Sequence, residues 1–169
     1  MRKGKMMLRL CIVGILGIPL LAGASTSETR NISLTLLSPQ PTCNVTVRSV
    51  LELGNITMGD SSHSPFPVSI SCTGAVKSAL TARNKTGILQ TDQSRVFVSM
   101  SNAGAANGPF LWLQDGNNKV KLTGQSVDAF CTATNTSRTC NVTPWTRSVG
   151  DSGWGSGAVI INFEIIYPA

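Results

Sequence analysis

From residue 31 onward, apolar residues recur at every second position in short runs, and no run keeps the 3.6-residue period of a helix. Ile32, Leu34 and Leu36 alternate with Asn31, Ser33 and Thr35, and Pro39-Gln40-Pro41 then breaks the chain. Val45 and Val47 alternate after Cys43, and Phe66, Val68 and Ile70 alternate into Cys72. Val96, Val98 and Met100 follow, then the run Phe110-Leu111-Trp112-Leu113. Asp115-Gly116-Asn117-Asn118 is a turn signal, with Val120 and Leu122 on the returning arm of a hairpin. In the last run Val159, Ile161, Phe163, Ile165 and Tyr167 share one face. Short alternating runs separated by turn residues predict a single all-β domain, a β-sandwich of about seven strands, with no internal repeat.

Between these runs the composition is that of loops. Segment 101–108 is rich in Ala, Gly and Asn, and segment 149–157 in Gly and Ser. The stretch between Cys131 and Cys140, rich in Thr, Asn and Ser, is expected to be an exposed loop pinned at its base.

The first residues have a different character. Arg2, Lys3, Lys5 and Arg9 precede an apolar stretch over 10–21, and Ala22-Gly23-Ala24 offers a small-x-small cleavage site, the pattern of a secretory signal peptide. The apolar stretch is shorter than the roughly 20 residues that a membrane-spanning helix needs. Cys11 opens this stretch instead of closing it, which argues against a lipoprotein. The expected division is 1–24 signal peptide, 25–41 N-terminal extension and 42–169 folded domain. Cleavage changes the charge picture. Of the 14 Lys and Arg in the chain, those four leave with the leader, so the remaining ten face eight Asp and Glu and the net charge falls from +6 to +2. The surviving basic residues are scattered, which gives nucleic-acid binding no support.

Removal of Cys11 leaves Cys43, Cys72, Cys131 and Cys140, an even set in an exported protein. Four cysteines allow three pairings. Pairing sequence neighbours is the simplest and would contribute about 3.5 kcal/mol for Cys43 with Cys72 and about 2.7 kcal/mol for Cys131 with Cys140 on a loop-entropy estimate. A zinc site is disfavoured, because no Cys-x-x-Cys pair is present and the compartment is oxidising.

Catalytic chemistry is sparse. His63 is the single histidine, in a Ser- and Pro-rich loop where a solvated role is expected, and no serine sits in a nucleophile-elbow pattern. The carboxylates are dispersed, no phosphate-binding glycine motif occurs, and no metal or cofactor is implied. The expectation is a protein that is not an enzyme. Six Asn-x-Ser/Thr triplets, beginning at Asn31, Asn44, Asn55, Asn84, Asn135 and Asn141, keep a eukaryotic secreted immunoglobulin-like binding module as an alternative.

The two ends of the exported chain carry more information than its middle. The last run is long, regular and apolar on one face, so its edge must be covered or it will pair with another strand. The run over 31–37 stands apart from the cysteine-bearing body behind two prolines, like a strand made to be donated. In these features the chain resembles the pilin subunits assembled by the chaperone–usher pathway. The resemblance rests on Cys43-Asn44-Val45-Thr46-Val47, on Phe66-Pro67-Val68-Ser69-Ile70-Ser71-Cys72, and on Gly155 standing twelve residues before Tyr167 with alternating apolar residues between. Two residues follow Tyr167 where the family usually has one, and the donor run lacks the family's glycine.

The resemblance implies an incomplete immunoglobulin-like β-sandwich that lacks its seventh strand and is completed by donor-strand exchange. It implies a Cys43–Cys72 bond. Ile32, Leu34 and Leu36 would be the donor residues. Gly155, Val159, Ile161, Phe163, Ile165 and Tyr167 would border the groove that accepts a chaperone strand and then a neighbouring subunit's strand. The implied partners are a periplasmic chaperone, an outer-membrane usher and neighbouring pilins, and the destination is a fimbrium on the bacterial surface. The extra Cys131 and Cys140 point to a minor, specialised subunit of an adhesive fimbria. The alternative within the family is a tip adhesin, in which Trp112, Trp145 and Trp154 would contact a host glycan.

Overall fold

The computed structural model describes residues 32–102 and 108–168. The expected signal peptide, Asn31 and much of the 101–108 loop lie outside the described residues. The chain divides into two units, Met1–Leu37 and Ser38–Ala169. In the first, residues 32–37 have no regular secondary structure, and Ile32, Leu34, Leu36 and Leu37 are all more than four-fifths exposed. An alternating segment becomes a strand only when a neighbour takes up its backbone groups.

The second unit is an open, all-β structure. Its strands among the described residues are β1 (Cys43–Thr46), β2 (Gly59–Ser62), β3 (Phe66–Asn84), β4 (Ile88–Leu89), β5 (Arg95–Phe97), β6 (Phe110–Asp115), β7 (Asn118–Lys119), β8 (Phe130–Ser148) and β9 (Ile161–Ile166). Every strand pair is antiparallel, in the order β1-β3-β8-β6-β5-β4, with β2 on β8, β7 on β6 and β9 on β3. One short 3-10 turn, Ser126–Asp128, precedes β8. The β6–β7 hairpin turns through Gly116 and Asn117, and Gly116 adopts the positive φ of 56° that such a tight reversal needs.

Two 19-residue strands, β3 and β8, form the spine. They pair from Phe66↔Val142 to Ser71↔Ser137, then again from Val76↔Asn135 to Leu80↔Phe130. Between the two stretches β3 spends four residues, Cys72, Thr73, Gly74 and Ala75, against the single Thr136 of β8. Such an irregularity bends a ribbon, and here it folds one over. Cys131 and Cys140 are nine residues apart, about 30 Å along a straight strand, yet their Cα atoms are 6.2 Å apart. The β3–β8 ribbon therefore has two limbs that face each other. The first carries Phe66, Val68, Ile70, Cys140 and Val142 into the core, the second Leu80 and Ala82, and β5, β6 and the segment beyond β7 add Val96, Leu113, Val120 and Leu122.

This geometry corrects two expectations. The Cys131–Cys140 stretch is not a loop but part of β8, and Cys72 does not end its strand but lies inside β3. In both places the limb interface and its disulfide replace the apolar alternation that normally marks a strand. Farther along, β5 ends at Phe97: Val98 keeps one backbone bond to Pro109 (2.9 Å), and Met100 forms an isolated bridge to Gly157.

Candidate strand-acceptor site

Ser69, Ile70 and Ser71 pair with β8 on one side and with β1 on the other. Leu80 likewise lies between Phe130 of β8 and Ile165 of β9. β1 and β9 thus occupy the same edge of β3, β1 beside residues 69–72 on the first limb and β9 beside residues 79–84 on the second. Among the described residues neither pairs with a strand other than β3. Each turns one side of its backbone away from β3, and on β1 the Cys43 N–H on that side is taken up by Tyr167.

The side chains along these edges are apolar and incompletely covered. Val45 on β1 and Val159, Ile161, Phe163 and Ile165 along β9 pack against the core but are only half-buried, while Ile160, Asn162 and Glu164 between them are exposed. Phe163 is the centre of this row, meeting Phe66 edge-on at 6.1 Å and Phe130 at 6.5 Å between ring centroids. Beyond β9, Tyr167 is 45% exposed, and its hydroxyl accepts the backbone N–H of Cys43 at 2.8 Å. That bond ties the end of β9 to the start of β1. The Cys43–Cys72 disulfide fastens the same point to β3, where the two residues are direct cross-strand partners.

Gly155 stands apart from the row. It lies in a strap ahead of β9 that crosses to the segment after β5: Ser101 donates to the Ser156 carbonyl (2.8 Å), and Asn102 to that of Trp154 (3.2 Å). Gly155 has φ +102°, and a Cβ there would collide with the Ser101 hydroxyl, which itself accepts the Ser156 N–H. The strap is thus tied to residues 100–102, whereas the outer edge of β1 and β9 has no strand beyond it among the described residues.

The four cysteines among the described residues are all in disulfides, Cys43 with Cys72 and Cys131 with Cys140, so none of these is a thiolate ligand. Cys140 is buried in the core. The tryptophans do not share one exposed surface. Trp112 is buried and stacks on Trp145 across the β6–β8 ladder at 5.9 Å, with the Lys119 ammonium 5.0 Å from the centre of its ring. Trp154 is 72% exposed on the strap. His63 is half-buried and not a solvated loop residue, with Nε2 2.9 Å from the Thr146 hydroxyl.

Two charged groups have altered titration, Asp92 and Arg138. Burial raises the pKa of Asp92, but hydrogen bonds from the Arg95 side chain and from the N–H groups of Ser94 and Arg95, with the Arg95 charge, outweigh it and hold the carboxyl below its ordinary value. Burial lowers the pKa of Arg138. Sequence reading overlooked Arg138, a charged residue in a polar stretch with no signal to set it apart.

No protein-family model matches the sequence, and no curated protein matches it. Solved structures do. One is from a chaperone–usher pilus studied for the molecular basis of rod uncoiling, 11% identical, with a TM-score of 0.54 over 83% of this chain and 96% of that one. Another is the P pilus rod subunit PapA, 14% identical, with a TM-score of 0.53 over 75% of this chain and 99% of that one. At these identities the likeness is one of architecture, and the chain has the fold of chaperone–usher pilus rod subunits.

Proposed function

We propose that this chain is an exported, non-catalytic subunit of an adhesive chaperone–usher fimbria, polymerised by donor-strand exchange. The observation that carries the reading is the open edge: among the described residues β1 and β9 each lack a second partner, beside a row of core-packed but half-covered apolar side chains. A strand laid there would satisfy free backbone groups and cover Val159, Ile161, Phe163 and Ile165 together, the two sources of affinity in strand addition. A periplasmic chaperone supplies that strand first, the outer-membrane usher receives the complex, and the extension of a neighbouring subunit replaces the chaperone. In this reading residues 1–24 are removed, 25–41 form the extension with Ile32, Leu34 and Leu36 as donor residues, and 42–169 form the accepting domain. In this reading the chain is a minor subunit at the cell surface, specialised by its second disulfide.

The test is strand complementation. Exported full-length chain, purified without a chaperone, is mixed with a synthetic peptide covering residues 29–41. Without peptide the chain self-associates, because an uncovered apolar row promotes aggregation. With peptide, or with co-expressed chaperone, it is a soluble monomer with a higher melting temperature. A chain that is monomeric alone, melts cooperatively and ignores the peptide would overturn the reading.

A further inference from the structure

The open edge has its two banks on different limbs of one folded ribbon. β1 is carried by the first limb of β3 and β9 by the second. Whatever fixes the angle between the limbs fixes the separation of the banks. Tyr167 ties them at one end only, through its bond from Cys43.

The fold-over itself is held by two devices. The Cys131–Cys140 disulfide joins residues on opposite limbs. Arg138 belongs to the first limb, opposite Ile70, and its side chain reaches across to the second. Its Nε donates to the Cys131 carbonyl at 3.0 Å, Nη1 to the Ser78 hydroxyl at 2.8 Å and the Asn135 side-chain oxygen at 3.1 Å, and Nη2 to the Ser78 carbonyl at 2.8 Å. Cys131, Asn135 and Ser78 all lie on the far limb. A planar guanidinium with several donors in fixed directions braces two backbones in a way that a lysine ammonium does not. Phe130, next to Cys131, packs on Phe163, so the clasp abuts the centre of the apolar row.

We propose that Arg138 and the Cys131–Cys140 bond form a clasp that sets the spacing of the β1 and β9 banks, making Arg138 a positioning residue for strand acceptance. The inference rests on the strand-acceptor reading above. It identifies what the second disulfide does: it fixes the separation of the two banks before a strand arrives, which lowers the ordering cost of binding.

The experiment measures bank spacing and peptide binding separately in the exported full-length chain. Nitroxides carried by unnatural amino acids at the exposed positions Asn44 and Asn162 leave all four cysteines intact. Pulsed electron-electron resonance gives a narrow distance distribution in the parent chain. In Arg138→Met, and in the double variant Cys131→Ser/Cys140→Ser, the distribution broadens, and the dissociation constant for the 29–41 peptide rises at least tenfold. Arg138→Lys, the milder change, gives an intermediate width and remains foldable. Val142→Ala, a core change outside the clasp, lowers the melting temperature without broadening the distribution.

Clasp variants that melt earlier yet keep the parent's distance distribution and peptide affinity would overturn the proposal, leaving a purely stabilising role. A parent chain that binds no peptide removes the acceptor reading and this inference together. Normal peptide binding by the parent with unchanged binding by the variants removes this inference alone.

Discussion

Phe163 joins three parts of the molecule with one ring, touching Phe66 of the first limb and Phe130 beside the second disulfide. A buried Phe→Ala change costs about 3–5 kcal/mol, and since Phe163 is half-buried, Phe163→Ala is expected to cost about 2 kcal/mol. Chemical denaturation of the peptide-complemented chain measures this. Gly155 is constrained by backbone and not by burial. Its φ of +102° and its closeness to Ser101 make Gly155→Ala costly by about 1–3 kcal/mol, and hydrogen exchange localises the loss to the strap. Asp92 contributes a pH dependence of known sign. Its pKa is depressed in the folded chain, so its stabilisation is complete above the ordinary carboxylate range and is lost as pH falls through the folded value. Asp92→Asn is therefore expected to flatten the acid limb of the stability profile, which melting curves collected from pH 6 downward will reveal.

β9 and the 32–37 segment offer similar alternating apolar faces, but the proposed function assigns them to different steps. Asp at Phe163 or Ile161 places a charge in the accepting row and is expected to abolish capture by the chaperone and by peptide. Asp at Ile32, Leu34 and Leu36 is expected to spare folding and capture while blocking entry into the next subunit. Burying each donor side chain contributes about 1.5–3 kcal/mol, so three supply roughly 5–9 kcal/mol before backbone bonds are counted. Pull-down with chaperone, followed by polymerisation assays, separates the two steps, and donor variants that fail to fold with chaperone present would sink the assignment. The alternation of β9 was legible in the sequence because every second residue faces the core. The β6–β7 turn was legible for its Gly-Asn pair. The long spine was not. Residues 73–84 and 130–141 are held by the limb interface, a disulfide and an arginine, and a stretch such as Cys-Thr-Ala-Thr-Asn-Thr-Ser-Arg-Thr-Cys carries no apolar period to reveal it. The open edge was foreshadowed by the terminal run, whereas its division between two limbs depends on a four-against-one irregularity that no local pattern announces.

At the scale of the molecule, the strap is tied to residues 100–102 and the disulfides tie β1 and the two limbs of the spine, while β1 and β9 share one edge of β3. Most core-lining residues come from segments far apart in sequence, a topology that folds slowly and exposes apolar surface on the way. On the proposed function, the open edge prolongs that exposure until a partner strand arrives. Residue 42 is where the extension meets β1, and Cys43, the next residue, is bonded to Cys72 in the middle of β3. In the fibre that the proposed function calls for, tension enters a subunit through its own extension and leaves through the strand seated beside β9. The covalent bond delivers that force into the spine at the first residue of β1, so the four-residue ladder of β1 carries almost none of it. β9 lies on the same spine, so the load runs from Cys72 along β3 into the β3–β9 ladder, in shear across backbone bonds that must break together. Optical-tweezer pulling is expected to show parent fibres yielding at the β9 edge, and fibres of Cys43→Ser/Cys72→Ser subunits lengthening first, at lower force, by the peeling of β1.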